Sequence, residues 1–214
     1  EALRIEGEVD LGYLREQVPR ALERALEGLA RVTTIVRSMK TFAHPDQPEL
    51  ADCDLVQNLE ATLTIASSEL KYVADVHTDF RPLPLVRAHM GELNQVFLNI
   101  IVNAAHAISD RHGPHGARGT ITVSTRIEGG DVVVSVADDG TGIPESVRNR
   151  IFDPFFTTKE VGRGTGQGLA LSRTVVERHG GSITFDSQTG VGTTFHIRLP
   201  VLGPMQLEEH AQAA

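Results

Sequence analysis

Between Asp138 and Leu171 the chain reads Asp-Asp-Gly-Thr-Gly-Ile-Pro, then Phe-Asp-Pro-Phe-Phe-Thr-Thr-Lys, then Gly-Arg-Gly-Thr-Gly-Gln-Gly-Leu-Ala-Leu. Such a stretch has neither the period of a helix nor the alternation of a strand, and connections of that length are usually functional. Gly162, Gly164, Gly166 and Gly168 stand just before a helical pattern. Backbone amides freed by glycine and aimed by a helix N-terminus make a pocket for phosphate oxygens. The alternate-residue spacing separates this loop from two commoner ones. No Gly-Lys-Ser or Gly-Lys-Thr occurs, and Gly-x-Gly-x-x-Gly does not fit.

Upstream, Asn99 and Asn103 lie four residues apart in a strongly apolar helical segment, and so share a face. They are either satisfied core amides or oxygen donors to a hard cation. Magnesium bound with a nucleotide takes one or two protein ligands and keeps its waters. Asp138 ends an apolar strand pattern, where a carboxylate suits the exocyclic amine of adenine, and Gly140 and Gly142 let backbone approach a flat ring. Phe152, Phe155 and Phe156 read as anchors of a lid from Gly140 to Gly168 that moves over nucleotide, or as core filling. Lys159 or Arg163 would then neutralise phosphate. Together these segments describe an ATP site.

A net charge of −8 disfavours a nucleic-acid surface. Cys53 is alone, which excludes an internal disulfide and a structural zinc site, and it reads as a small buried hydrophobe. No apolar run is long enough to span a membrane and no signal peptide opens the chain, so the expectation is a cytoplasmic piece, with any membrane anchor left to missing parent segments.

From Asp10 to Phe42, Leu11, Leu14, Val18, Leu22, Leu26, Leu29, Val32, Val36 and Met39 recur at steps of three and four, a helix with one apolar stripe. Pro19 predicts a kink or a fresh helix start, leaving Arg20 to about Ala43 continuous. His44-Pro45-Asp46-Gln47-Pro48 marks a boundary. The expected parts are therefore 1–46, a helical segment; 47–202, the main domain; and 203–214, a tail. Within the main domain the patterns predict helices at Asp54–Tyr72, with Asp54 as N-cap, Glu92–Asp110 and Gly168–His179. Strands are predicted at Val73–Phe80, Leu85–Arg87, Thr120–Ile127, Val132–Ala137, Ser182–Asp186 and Thr193–Leu199. With no regular β-α-β repeat, the fold class is α+β: a mixed sheet packed on about three helices as a two-layer sandwich, preceded by a long N-terminal helix.

At these residues the chain resembles the catalytic and ATP-binding domain of a two-component sensor histidine kinase, in the wider superfamily of gyrase B and MutL. Leu93 to Ala105 resembles the N box, Asp138 to Pro144 the first glycine box, Phe152 to Lys159 the F box, Gly162 to Leu171 the second glycine box, and His179 to Ile183 with Gly190 to Phe195 the closing hairpin. The resemblance implies a Bergerat-type fold, ATP and Mg2+ as cofactors, and Asn103 as the metal ligand. It also implies Asn99 and Asn103 as the catalytic pair. The nucleotide-binding set that it implies is Asn99, Asn103, Asp138, Gly140, Gly142, Ile143, Phe156, Thr158, Lys159, Gly164, Thr165, Gly166, Gln167, Gly168, Leu169 and Thr194. Gln167 departs from the usual leucine, a change expected to adjust packing rather than abolish binding.

The family also has a two-helix dimerisation and phosphotransfer domain, and Arg20 to Phe42 resembles its second helix. None of the nine histidines stands in the phosphoacceptor context. The implied partners are an acceptor-histidine helix, a response regulator receiver domain and a second copy paired through the N-terminal stripe. Three functions are open: a histidine kinase core, a nucleotide-binding scaffold without transfer, and an ATP-hydrolysing clamp of the gyrase or MutL kind. Clamp relatives carry a glutamate four residues before the magnesium asparagine, and here that position is Asn99, a poor base.

Overall fold

The computed structural model describes residues 15, 17–29, 33, 50–113, 116–159 and 164–201. The chain divides into two compact units, Glu1–Asp46 with Thr158–Thr165, and Gln47–Thr157 with Gly166–Ala214. In the first, residues 17–29 are helical straight through Pro19. Of the kink or fresh helix start predicted at Pro19, a start at Pro19 itself is not seen, since residues 17 and 18 are already helical. Val18, Leu22, Leu26 and Leu29 are all exposed on it. The predicted continuation beyond residue 33, the boundary at 44–48 and the tail at 203–214 lie outside the described residues.

The second unit runs β1 (Ala51–Cys53), α1 (Leu55–Leu70), β2 (Ala74–Phe80), β3 (Val86–Ala88), α2 (Met90–His112), β4 (Gly119–Glu128), β5 (Asp131–Asp138), a 3-10 turn (Glu145–Arg150), α3 (Gly168–Arg178), β6 (Ser182–Gln188) and β7 (Gly192–Pro200). Five strands form one sheet in the order β2-β4-β5-β7-β6. The β2–β4 pair is parallel and the other neighbours are antiparallel. The predicted mixed sheet is therefore present. β3 does not join it but pairs antiparallel with β1, a strand too short to show a period in sequence.

Asp54 caps α1 as predicted, its Oδ1 accepting the N–H groups of Val56 (2.9 Å) and Gln57 (3.1 Å). Leu55, Leu59, Ala66 and Leu70 of α1 and Leu93, Phe97, Ile100, Ile101 and Ile108 of α2 cover the sheet through Ile121, Val123, Val132, Val134, Val136, Phe195, Ile197 and Leu199. Cys53 is buried, and burial raises its thiol pKa, as expected of a small core hydrophobe. On the opposite face of the sheet the strands carry polar side chains. There Ser135 Oγ meets His196 Nδ1 at 2.8 Å, and the stems of Arg126 and Arg198 flank Val133 in register.

Candidate nucleotide site

Asp138 closes β5 and pairs in register with Thr193 of β7. It continues the row of Val132, Val134 and Val136, so its carboxylate emerges at the end of the helix-covered face. Its Oδ1 accepts the Gly140 N–H at 2.9 Å, and the Thr193 N–H also donates to the carboxylate. Burial nevertheless pushes its pKa up to about 6, outweighing those two donors, with the charge of Asp139 adding to the rise.

The loop after Asp138 is tied on both sides. A Cβ on Gly140 would stand 2.6 Å from the carbonyl carbon of Ala107, so glycine here lets the loop lie directly on α2. Thr141 N–H donates to Ala107 O (3.2 Å), and Thr141 O accepts from Gly190 N–H (2.7 Å) in the β6–β7 turn. Gly142 has φ +69°, and a side chain there would run into the Gln188 carbonyl. Ile143 N–H donates to Ser187 Oγ at 2.7 Å. The Arg111 guanidinium, at the end of α2, donates to the carbonyls of Asp139 and, at 3.2 Å, Val191.

At the other end of the site α2 meets the start of α3. Asn99 Nδ2 donates to Ser172 Oγ at 2.9 Å. A Cβ on Gly168 would lie 2.3 Å from Asn99 Oδ1, so this amide oxygen faces the first turn of α3 with no side chain between them. Gln167 occupies the N-cap position without a side-chain capping bond to the helix amides. Asn103, one turn along α2, is half-buried, and Leu169 packs partly against the core. Among the described residues no group of three His, Cys, Asp or Glu side chains is placed to hold a metal ion. Asn103 carries an amide oxygen, a donor type compatible with the one or two protein ligands that nucleotide-bound magnesium takes.

Phe152 and Phe156 pack against the core, Phe152 with its centroid 6.1 Å from Phe185 and Phe156 beneath the Arg150 guanidinium. Phe155 does not anchor the loop: it is 72% exposed and holds φ +66°. Its backbone abuts Gly166, itself at φ +65°, where a Cβ would come within 2.4 Å of the Phe155 carbonyl carbon.

Thr194 does not share a sheet face with Asp138. In β7 the buried row is Thr193, Phe195, Ile197 and Leu199, so Thr194 projects to the opposite face of the sheet from Asp138. Thr193 is the residue on the Asp138 face, and the apolar alternation from Phe195 onward carries the signal that finds it. Ser172, Ser187 and Arg111 were also missed. Each acts through a partner distant in sequence. Thr158, Lys159, Gly164 and Thr165 fall in the first compact unit, and Gly162 and Arg163 lie outside the described residues.

Residues 90–203 match the histidine kinase-, DNA gyrase B-, and HSP90-like ATPase family. The chain belongs to that family. Among its relatives, the sensor kinase CckA of Brucella abortus is 38% identical over 80% of this chain and 19% of that protein. The signal transduction histidine-protein kinase AtoS of Escherichia coli is 32% identical over 84% of this chain and 29% of that protein. For the sensor histidine kinase ZraS of Escherichia coli the figures are 35%, 80% and 35%. The chain thus spans only about a fifth to a third of the length of these curated relatives. Among solved structures, the mycobacterial sensor histidine kinase MprB superposes with a TM-score of 0.60 at 26% identity, over 71% of this chain and 97% of that one. Full-length ShkA in complex with AMPPNP gives 0.67 at 26% identity, over 86% and 38%. These neighbours share the mixed sheet covered by helices, as the α+β expectation requires. Among the described residues no helix is long and apolar enough to cross a membrane.

Proposed function

We propose that this chain is the ATP-binding, phosphoryl-donating core of a sensor histidine kinase. The observation that carries the reading is that one helix, α2, joins both ends of the site: its Ala107 seats the loop behind Asp138, and its Asn99 faces the first turn of α3. The ShkA structure, with its bound ATP analogue, supports an adenine nucleotide as the occupant. Asp138 accepts the exocyclic amine of adenine, while Gly140 and Gly142 admit the ring. The amides at the start of α3 bind phosphate oxygens. Gly166 and Gly168 let this segment lie against the Phe155 backbone and the Asn99 amide. Asn103 offers its amide oxygen to Mg2+, which when bound would neutralise phosphate charge as the phosphoryl group leaves.

Asn99 bears on the reaction class. A neutral amide does not take a proton from water, so the site favours transfer to an incoming nucleophile over hydrolysis. The nucleophile is a histidine imidazole on a separate acceptor helix, and an aspartate of a response regulator receiver domain takes the phosphoryl group next. Residues 1–46 are proposed as part of the dimerisation and phosphotransfer domain.

The test is transfer of the labelled γ-phosphate of ATP to an added acceptor-helix domain. Mg2+-dependent labelling that is lost in Asn103→Ala is the expected result. ATP binding with no labelling under any pairing would overturn the kinase reading in favour of the scaffold, and steady release of inorganic phosphate would point to the clamp.

A further inference from the structure

The Ser187 hydroxyl has three partners, and their arithmetic has a chemical result. Ser187 lies opposite Thr193 in the β6–β7 register. Its oxygen accepts the Ile143 N–H at 2.7 Å, its proton goes to the Gly192 carbonyl at 3.1 Å, and Thr193 Oγ1 stands 2.9 Å away. A hydroxyl owns one proton and two lone pairs. All three contacts are hydrogen bonds at once only when that proton goes to Gly192 and Thr193 donates the third. The Thr193 oxygen is then left with lone pairs only, on the same face as the Asp138 carboxylate it neighbours in register. Both side chains at this end of the site present acceptors and no donor.

We infer that Ser187 is a positioning residue that holds Thr193 as an acceptor, and through it makes the site select a purine edge bearing an amine over one bearing a 6-oxo group. The inference rests on the nucleotide reading above. A 6-oxo purine places a carbonyl lone pair where adenine places N–H donors. Opposed, partly buried lone pairs have no compensating hydrogen bond and cost affinity. If Ser187 is removed, the Thr193 hydroxyl is released to turn and donate to that carbonyl. The gain belongs to the wrong nucleotide, so selectivity falls without a matching loss of ATP binding. Arg148 supports the same corner by donating to the carbonyls of Ile143 and Ser187, which keeps Ile143 in place when the hydroxyl is absent.

The experiment measures the dissociation constants of ATP and inosine triphosphate by calorimetry for the full chain, Ser187→Ala, Ser187→Thr, Thr193→Val and the double variant Ser187→Ala/Thr193→Val. Wild type favours ATP. Ser187→Ala lowers the ATP-to-inosine preference roughly tenfold, the scale of one hydrogen bond, mainly through tighter inosine triphosphate binding, and Ser187→Thr restores it. Thr193→Val also lowers the preference, and adding Ser187→Ala to it changes nothing further. An unchanged preference in Ser187→Ala, or in Thr193→Val if the serine variant does not fold, overturns the inference, as does an equal effect of Ser187→Ala with valine at 193. A wild-type chain that binds no ATP instead refutes the nucleotide reading itself.

Discussion

Asp138, proposed above to contact adenine, is buried at a cost to folding. Its pKa of about 6 lies above the roughly 3.9 of an unfolded aspartate, so between these values the native state holds more protons than the unfolded one. Its contribution to stability is fully present below about pH 4 and is lost as pH rises through 6, a difference of up to about 3 kcal/mol. The proposed adenine contact runs the other way, because a carboxylate accepts more strongly ionised than protonated, so ATP affinity is expected to fall as pH drops below about 6. His179 complicates the raw profile. Burial holds its pKa below the usual imidazole value, so its stabilisation is lost as pH falls below about 6.5. Comparing wild type with Asp138→Asn isolates the aspartate. We expect the variant without nucleotide to melt higher at pH 7.5 and to bind ATP at least about tenfold more weakly. A lower melting temperature combined with unaltered ATP affinity would refute both halves. The position of Asp138 was legible in sequence, since an acid ending an apolar strand stands out. Its raised pKa was not, because burial is a property of what packs around it.

The elements themselves were mostly legible. The periods of α1 and α2, the Gly129-Gly130 turn between β4 and β5, and the Asp54 cap are local signals, and each appears where its residues put it. What joins the elements is not local. His179, at the end of α3, donates through Nδ1 to Val175 O (2.8 Å) and accepts the His89 N–H on Nε2 (3.0 Å), stapling α3 to the start of α2. At the opposite end of α3, Gly168 leaves room for Asn99. Gly168→Ala would drive a methyl group into the Asn99 amide. Melting should shift little, since the flexible amide can swing aside, but ATP affinity should fall more than about tenfold, equivalent to about 1.4 kcal/mol. Calorimetry together with a thermal melt separates the two effects, and full-strength ATP binding would mean that Asn99 need not face α3.

At the scale of the whole molecule, the N-terminal stripe has a predictable consequence. Val18, Leu22, Leu26 and Leu29 are between 49% and 68% exposed on a single helix face. Burying such side chains is worth roughly 1.5–3 kcal/mol each, and an uncovered stripe invites association. We expect a concentration-dependent dimer by light scattering, shifted to monomer by Leu22→Glu with Leu26→Glu. A strict monomer at high concentration for the unmodified chain would remove the stripe as a pairing surface.

Sequence alone determined the class of fold, the family and the order of the site segments, because helical period, strand alternation and glycine spacing are written in neighbouring residues. It also located the glycine-rich stretch from Asp138 to Leu171 and the asparagine pair on α2. Only the tertiary structure decided that Thr193 rather than Thr194 accompanies Asp138, that Phe155 faces out, and that Ser172, Ser187 and Arg111 hold the site together. Those choices depend on strand register and on side chains brought together from distant parts of the chain. No local pattern encodes them, because each is settled by the packing of the whole core at once.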